Sequence, residues 1–285
     1  SASSAGVTIN LTTGTGLGGD AQGDTLVGIE RVYGSASDDS LTGSAAAELL
    51  IGGDGNDHFN GAAGADYIDG GAGIDTVYYS ASAAGVTINL TTGTGLGGEA
   101  QGDTLVGIER VYASAFDDSL TGSAAAELLV GGGGNDMLNG GKGDDFLDAG
   151  PGNDLYQIFR GDGFDTIAQA GLTDAGSTTD LLLFGSGIAR DQLWFRQSGN
   201  NLVVNAIGEA ASQVTLQDWF SAPANRIDAI RTADGQQELL SSMVQNLVSA
   251  MASYSATPPS GLTLSSTEHL ALNSIIAASW QNYTA

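Results

Sequence analysis

The sequence predicts a chain that is mainly β, coiled into a solenoid of short stacked strands, closed by a small β-rich cap and ended by helices. Three observations predict it: a nine-residue unit repeated in two arrays, a near-identical duplication of the segment that carries them, and a change of hydrophobic period beyond residue 236.

The first array reads GGDGNDHFN, GAAGADYID and GGAGIDTVY at 52–78, and the second GGGGNDMLN, GGKGDDFLD and AGPGNDLYQ at 131–157. Position six is aspartate in every unit: Asp57, Asp66, Asp75, Asp136, Asp145 and Asp154. Position eight is apolar in every unit: Phe59, Ile68, Val77, Leu138, Leu147 and Tyr156. Glycine stands at positions one and four: Gly52 and Gly55, Gly61 and Gly64, Gly70 and Gly73, Gly131 and Gly134, Gly140 and Gly143, then Gly152. The frame also runs backwards. Units 43–51 and 34–42 place Glu48 and Asp39 at position six with Leu50 and Leu41 at eight; Glu127, Asp118, Leu129 and Leu120 repeat this in the second copy. Each copy therefore has five turns, two of them degenerate, and after a slip of two residues one last turn is expected around Asp165.

Residues 1–79 recur as 80–158, and in the first 51 positions only five differ. Such agreement is a duplication. Ahead of each array, 1–33 and 79–112 offer a β-branched strand (Val86–Leu90 in the second copy), a glycine-rich loop and a second short strand near Ile108–Tyr112. After the arrays, 180–235 changes character to short strand patterns with a turn at Gly199-Asn200-Asn201, and carries Trp194, Phe195, Trp219 and Phe220, read as the core of a β cap. From Glu238 the period is helical: Leu240, Met243, Val244, Leu247, Val248 and Met251 mark one helix, ended by Pro258-Pro259. A second helix is expected from about Thr267, with Ser265 and Glu268 as a capping box and Leu272, Ile275, Ile276 and Trp280 on one side.

Composition says what must hold such a chain. With 44 glycines and 7% aromatics, much of it is turn backbone whose ordering is entropically costly and buries little. Eight basic against 33 acidic residues leave a net charge of −25, which disfavours nucleic acid and anionic membranes and expands the chain until cations arrive. There is no cysteine, so neither disulfides nor thiolate metal sites are available, and no apolar run is long enough to span a bilayer. The chain opens inside a repeated unit without Met, and is expected to be the C-terminal part of a longer protein.

Taking each unit as six residues of turn and three of strand, two units make one coil, so residues 18 apart stack on one edge about 4.8 Å apart. Asp57 then lies between Asp39 and Asp75, Asp136 between Asp118 and Asp154, with Glu48 on Asp66 and Glu127 on Asp145 at the other edge. Like charges this close cost several kcal/mol at an effective permittivity of about 20. A cation reverses the sign. Carboxylates from successive turns and carbonyls from glycine-rich backbone make an all-oxygen cage that suits several Ca2+ ions better than zinc or copper. Position three varies freely (Asp54, Ala63, Ala72, Gly133, Lys142, Pro151), which is compatible with its carbonyl being the group used.

The pattern GGxGxDxUx resembles the repeat-in-toxin (RTX) calcium-binding nonapeptide, over 34–78 and 113–168. The resemblance implies a right-handed parallel β-roll, type I secretion from a Gram-negative bacterium, and folding triggered by external calcium. It also makes 1–33 and 79–112 similar to the segments that interrupt RTX blocks, 180–235 similar to a module that follows them, and 236–285 similar to an uncleaved C-terminal secretion signal. Glu48 and Glu127, in the glycine-poor SAAAE turns, depart from the pattern and are expected to hold calcium weakly or not at all.

No nucleophile elbow GxSxG or metalloprotease HExxH occurs, and GxGxxG at 14–19 is followed by no helical pattern, so no catalytic or dinucleotide site is expected. His58 and His269 are read as ordinary surface or partly buried residues. Two function classes remain. One is a calcium-dependent folding and export module for an upstream extracellular protein, with the type I secretion machinery as partner. The other is a calcium-rigidified piece of a surface adhesin, surface layer or filament, whose open ends could stack on a second copy.

Overall fold

The computed structural model describes residues 3–169, 179–207, 212–233, 235, 237–254 and 266–282, and falls into two compact units, Ser1–Asp136 and Met137–Ala285. That division cuts through the second array, whereas the sequence pattern changes character only after residue 168.

In the first unit the nonapeptide turns alternate between two sheets, as two units per coil require. Ser40–Thr42, His58–Asn60 and Thr76–Tyr78 pair in parallel in one sheet, while Leu49–Asp54 and Tyr67–Ala72 pair in parallel in the other. Leu41 lies opposite Phe59 and Leu50 opposite Ile68, so the inward residues stack in register. Leu41, Leu50, Phe59, Ile68, Val77, Leu120 and Leu129 are all buried, which is the period-two consequence of placing one apolar residue at the centre of each three-residue strand. The architecture is a parallel β-roll.

The segment between the arrays is more ordered than a glycine-rich loop. Thr87–Asn89 turns back antiparallel into Thr94–Leu96, a 3-10 turn follows at Gly98–Ala100, and the chain returns as Thr104–Val106. The GxGxxG stretch at 14–19 runs directly into a 3-10 turn, Gly19–Ala21. Thr104–Val106 pairs in parallel with Tyr67–Asp69, placing Leu105 opposite Ile68, and Arg110–Tyr112 pairs in parallel with both Thr76–Tyr78 and Leu128–Val130. The interruption thus contributes roll strands of its own.

In the second unit Met137–Asn139, Leu155–Ile158, Leu181–Phe184 and Ala229–Thr232 stack in parallel, as do Phe146–Asp148, Gly163–Ile167 and Ser212–Leu216. The slip of two residues is visible in the register Phe146↔Thr166. The cap therefore begins as further roll strands and only then turns antiparallel, through Asn201–Ala206 and Leu193–Ser198 on one sheet and Gln237–Leu240 on the other. Trp194, Phe195 and Trp219 are buried and Phe220 is half-buried, as expected of a core.

Two corrections concern the end of the chain. Helix α1 spans Ser241–Tyr254, so Leu240 belongs to the preceding strand; Val244, Leu247, Val248 and Met251 are buried while Met243 is exposed. Helix α2 spans Ser266–Ser279 and buries Leu272 and Ile276, but Trp280 leaves it for a final strand, Trp280–Asn282, antiparallel to Gln237–Leu240. A free sheet edge, which an aromatic strand residue can cover, outcompetes one more helical turn. The Pro258-Pro259 stop, Ser265 and the side chain of Glu268 lie outside the described residues.

Candidate metal centre

Of the glycines at positions one and four, only one kind takes positive φ. Position four does: Gly55, Gly64, Gly73, Gly134, Gly143 and Gly152 have φ between 114° and 156°. Its partner in that role is position two, occupied by Gly53, Gly71, Gly132, Gly141, Gly150 and the strained Ala62 at φ 62°. Position one is glycine for space instead. A Cβ on Gly52 would collide with Asp57 Oδ2 and come within 2.7 Å of the Gly70 carbonyl; on Gly61 it would meet Asp66 Oδ2 at 2.5 Å, and on Gly70 Asp75 Oδ2 at 2.5 Å. Gly140 is held against Asp145 Oδ2 in the same way. Carboxylate oxygens and main-chain carbonyls converge on the volume that a side chain at position one would fill.

The position-six carboxylates form ladders through the backbone. Asp39 N–H donates to Asp57 Oδ1 at 2.8 Å and Asp57 N–H to Asp75 Oδ1 at 2.7 Å; on the other edge Glu48 N–H donates to Asp66 Oδ1 at 2.8 Å. Asp118 N–H donates to Asp136 Oδ1 at 2.8 Å, and in the second unit Asp145 N–H donates to Asp165 Oδ1 at 3.2 Å. One oxygen of each acceptor is thereby used. The other is the informative one: Oδ2 of Asp57, of Asp66 and of Asp75 is buried and accepts no hydrogen bond. A buried carboxylate oxygen without a partner is costly unless something cationic joins it. Burial, with backbone hydrogen bonds opposing it, pushes Asp57 up to about 6 and Asp66 up to about 7; burial likewise pushes Asp165 to about 7 and raises Asp75, Asp103, Asp118 and Asp162.

The residues fit a hard divalent cation. Among the described residues no three His, Cys, Asp or Glu side chains converge, so carbonyls must complete any shell, and the crowding at Gly52, Gly61 and Gly70 puts oxygens where they are needed. Asp57, Asp66 and Asp75 would hold the ion through Oδ2. Asp54 is different: its side chain is exposed.

Four carboxylates in the expected set have another partner. Asp39 accepts from Ser35 N–H at 2.5 Å and Ser35 Oγ at 3.0 Å, and from Val7 N–H at 2.6 Å. Asp118 is bound the same way by Ser114 and Val86. Glu48 accepts from Ser44 N–H at 3.1 Å and from Ser44 Oγ, and Glu127 accepts from Ser123 N–H at 3.0 Å and from Ser123 Oγ. In these turns position two is serine, where the glycine-rich turns have Gly53, Ala62 or Gly71. A hydroxyl and an amide already satisfy the carboxylate.

Sequence reasoning missed several members of the ladders. Asp66 N–H donates to Asp103 Oδ1 at 2.9 Å and Asp75 N–H to Glu109 Oε2 at 2.8 Å, while Tyr79 Oη donates to Asp103 Oδ2 at 2.8 Å. Farther on, Asp154 N–H donates to Asp180 Oδ1 and Asp180 N–H to Asp228 Oδ2, both at 2.9 Å. The signal was present, since each of these acids stands two residues before a buried apolar one (Leu105, Val111, Leu182, Ile230). Without the glycines it did not read as a repeat. Position five carries an outer ladder too, with Asn56 N–H on Asp38 Oδ1 and Ile74 N–H on Asn56 Oδ1, both at 2.8 Å.

Comparison with known proteins agrees with this geometry. Residues 19–47, 42–77, 103–138 and 121–156 match the RTX calcium-binding nonapeptide repeat, in four copies. Among solved structures, the extracellular lipase LipA from Serratia marcescens aligns at 21% identity over 68% of this chain and 38% of its own length, with a TM-score of 0.25. The chain spans well under half of that lipase, and a superposition this loose adds no functional argument.

Proposed function

From a chain that carries RTX calcium-binding nonapeptide repeats, we propose a calcium-triggered folding module that supports type I export of an extracellular protein and performs no catalysis itself. The repeats bind calcium, several ions per chain. The observation that carries the rest is the set of buried, unbonded Oδ2 atoms on Asp57, Asp66 and Asp75 in a chain of net charge −25. Without cations the folded array concentrates charge that water would otherwise solvate. With them, those oxygens become ligands, and binding free energy becomes folding free energy.

A calcium-poor interior and a calcium-rich exterior would then keep the chain unfolded for threading and fold it on arrival. Among the described residues no helix is long and apolar enough to cross a membrane. The test is a pair of measurements on one preparation: far-UV circular dichroism in chelator and in several millimolar calcium, and secretion of a reporter fused ahead of residue 1 in cells with and without a type I exporter. Gain of β signal with calcium together with exporter-dependent secretion supports the reading. Unchanged spectra, or secretion that ignores the exporter, refutes it.

A further inference from the structure

We propose that residues 24–33 form a docking seat for the last two turns of another nonapeptide block, joined in tandem on the N-terminal side. This goes beyond the export reading and rests on the fold rather than on it.

The stretch DTLVGIERVY occurs at 24–33 and again, letter for letter, at 103–112. In the second occurrence the preceding block sits on it. Thr104–Val106 pairs with Tyr67–Asp69, Thr104 N–H donates to the Asp66 carbonyl at 2.7 Å, and Glu109 and Arg110 N–H donate to the Asp75 carbonyl at 3.1 and 2.9 Å. Asp103 and Glu109 take the returning amides of Asp66 and Asp75, and Tyr112 stacks on Tyr78 with centroids 5.1 Å apart. Leu105 and Ile108 are left 3% and 6% exposed.

The first occurrence has the same shape and no cover. Gly23 and Gly28 have φ of 88° and 62°, against 94° and 58° for Gly102 and Gly107, so the backbone is already set. Yet Ile29 is 38% exposed against 6% for Ile108, and Val27 84% against 40% for Val106; Asp24, Glu30 and Tyr33 are exposed where Asp103 is buried and Glu109 and Tyr112 are half-buried, and the stretch Thr25–Val27 makes one isolated bridge, to Thr15. A Cβ on Gly107 would meet the Gly71 backbone at 3.3 Å; one on Gly28 would meet nothing within 4 Å. The same residues that bury a block at 103–112 stand preformed and open at 24–33. A preformed edge of this kind docks without an ordering cost.

The route of entry identifies a tandem block as the occupant. Ser3 Oγ donates to the Ala5 carbonyl at 2.7 Å and accepts Asp20 N–H at 3.1 Å; Ser82 Oγ donates to the Ala84 carbonyl at 2.7 Å and accepts Glu99 N–H at 3.1 Å. The connector after a block is thus in place at residues 3–5 as it is at 82–84. A second copy is a poorer fit, because its corresponding strand Tyr67–Ala72 already lies between Leu49–Asp54 and Thr104–Val106.

The experiment adds one further copy of residues 1–79 directly ahead of Ser1 of the full chain, in saturating calcium, and follows amide hydrogen exchange. Thr25, Glu30 and Arg31 should slow by at least about tenfold, to the rates of Thr104, Glu109 and Arg110 in the same molecule. Asp24→Ala with Glu30→Ala should reverse this in the extended protein, while leaving the calcium-induced spectrum of the parent unchanged. The proposal fails if the added copy gains protection at its own repeat strands while Thr25, Glu30 and Arg31 stay at the parent rate, or if the added copy gains none in calcium. It fails equally if those amides become protected in the parent as concentration rises and its mass doubles, since a second copy then fills the seat.

Discussion

Asp57 stands between two turns: its N–H donates to Asp75 Oδ1 at 2.7 Å while its own Oδ1 accepts the Asp39 N–H at 2.8 Å. Its Oδ2 is buried and accepts nothing. The same carboxylate therefore registers one coil on the next and leaves an oxygen for a cation, which couples coil stacking to ion binding.

Cooperative folding with calcium follows. In chelator the chain should be largely disordered, and it should gain β structure sharply in calcium, with magnesium a poor substitute because it demands a smaller octahedron and keeps its waters. Circular dichroism titrations with the two ions check this; equal midpoints would contradict it.

Asp57→Ala and Asp75→Ala should raise the calcium midpoint by about tenfold or more and lower its cooperativity, since each removes a ladder acceptor and a ligand oxygen. Asp39→Ala and Glu48→Ala should move the midpoint less, because Ser35 and Ser44 already satisfy those carboxylates. Parallel titrations of the four variants decide it, and identical midpoints would remove the distinction between the two kinds of turn.

The serine turns make a complementary prediction. Ser35→Ala or Ser44→Ala leaves a buried carboxylate short of one hydrogen bond, at a cost of about 1–3 kcal/mol. The loss should persist in saturating calcium, and thermal unfolding under that condition measures it.

The pH dependence has a definite sign. Burial raises Asp57 to about 6 and Asp66 and Asp165 to about 7 in the folded, metal-free chain. The folded state then binds more protons than the unfolded one between roughly pH 4 and 7, so metal-free stability is present below about 4 and is lost as pH rises through 6 and 7. Calcium competes with those protons, so its midpoint should rise as pH falls from 7 to 5. Spectra in calcium-free buffer across this range should show structure gained on acidification.

The last strand ties the C-terminal end of the chain to the cap. Trp280 is buried and its strand covers the edge Gln237–Leu240. Trp280→Ala should therefore destabilise the cap by about 3–5 kcal/mol, and deleting 261–285 should lower its melting temperature as well. A melting temperature unchanged by either would separate this end of the chain from the fold.

The sequence by itself determined the roll: one glycine pair, one aspartate and one apolar residue per nine positions specify turn, ladder and core together, because all three act within a single turn or between neighbours 18 residues apart. It also marked Asp57, Asp66 and Asp75 as ligand candidates and Glu48 and Glu127 as exceptions. What tertiary structure decided depends on partners distant in sequence. Asp103, Glu109, Asp180 and Asp228 join the ladders only because strands 26 to 48 residues away, or in the interruption, return to the same edge. Trp280 became a strand because an edge was open to it. Asp24 and Ile29 are exposed while the identical Asp103 and Ile108 are buried, for the same reason: what covers a strand edge is set by whichever chain arrives there, and local sequence does not contain that information.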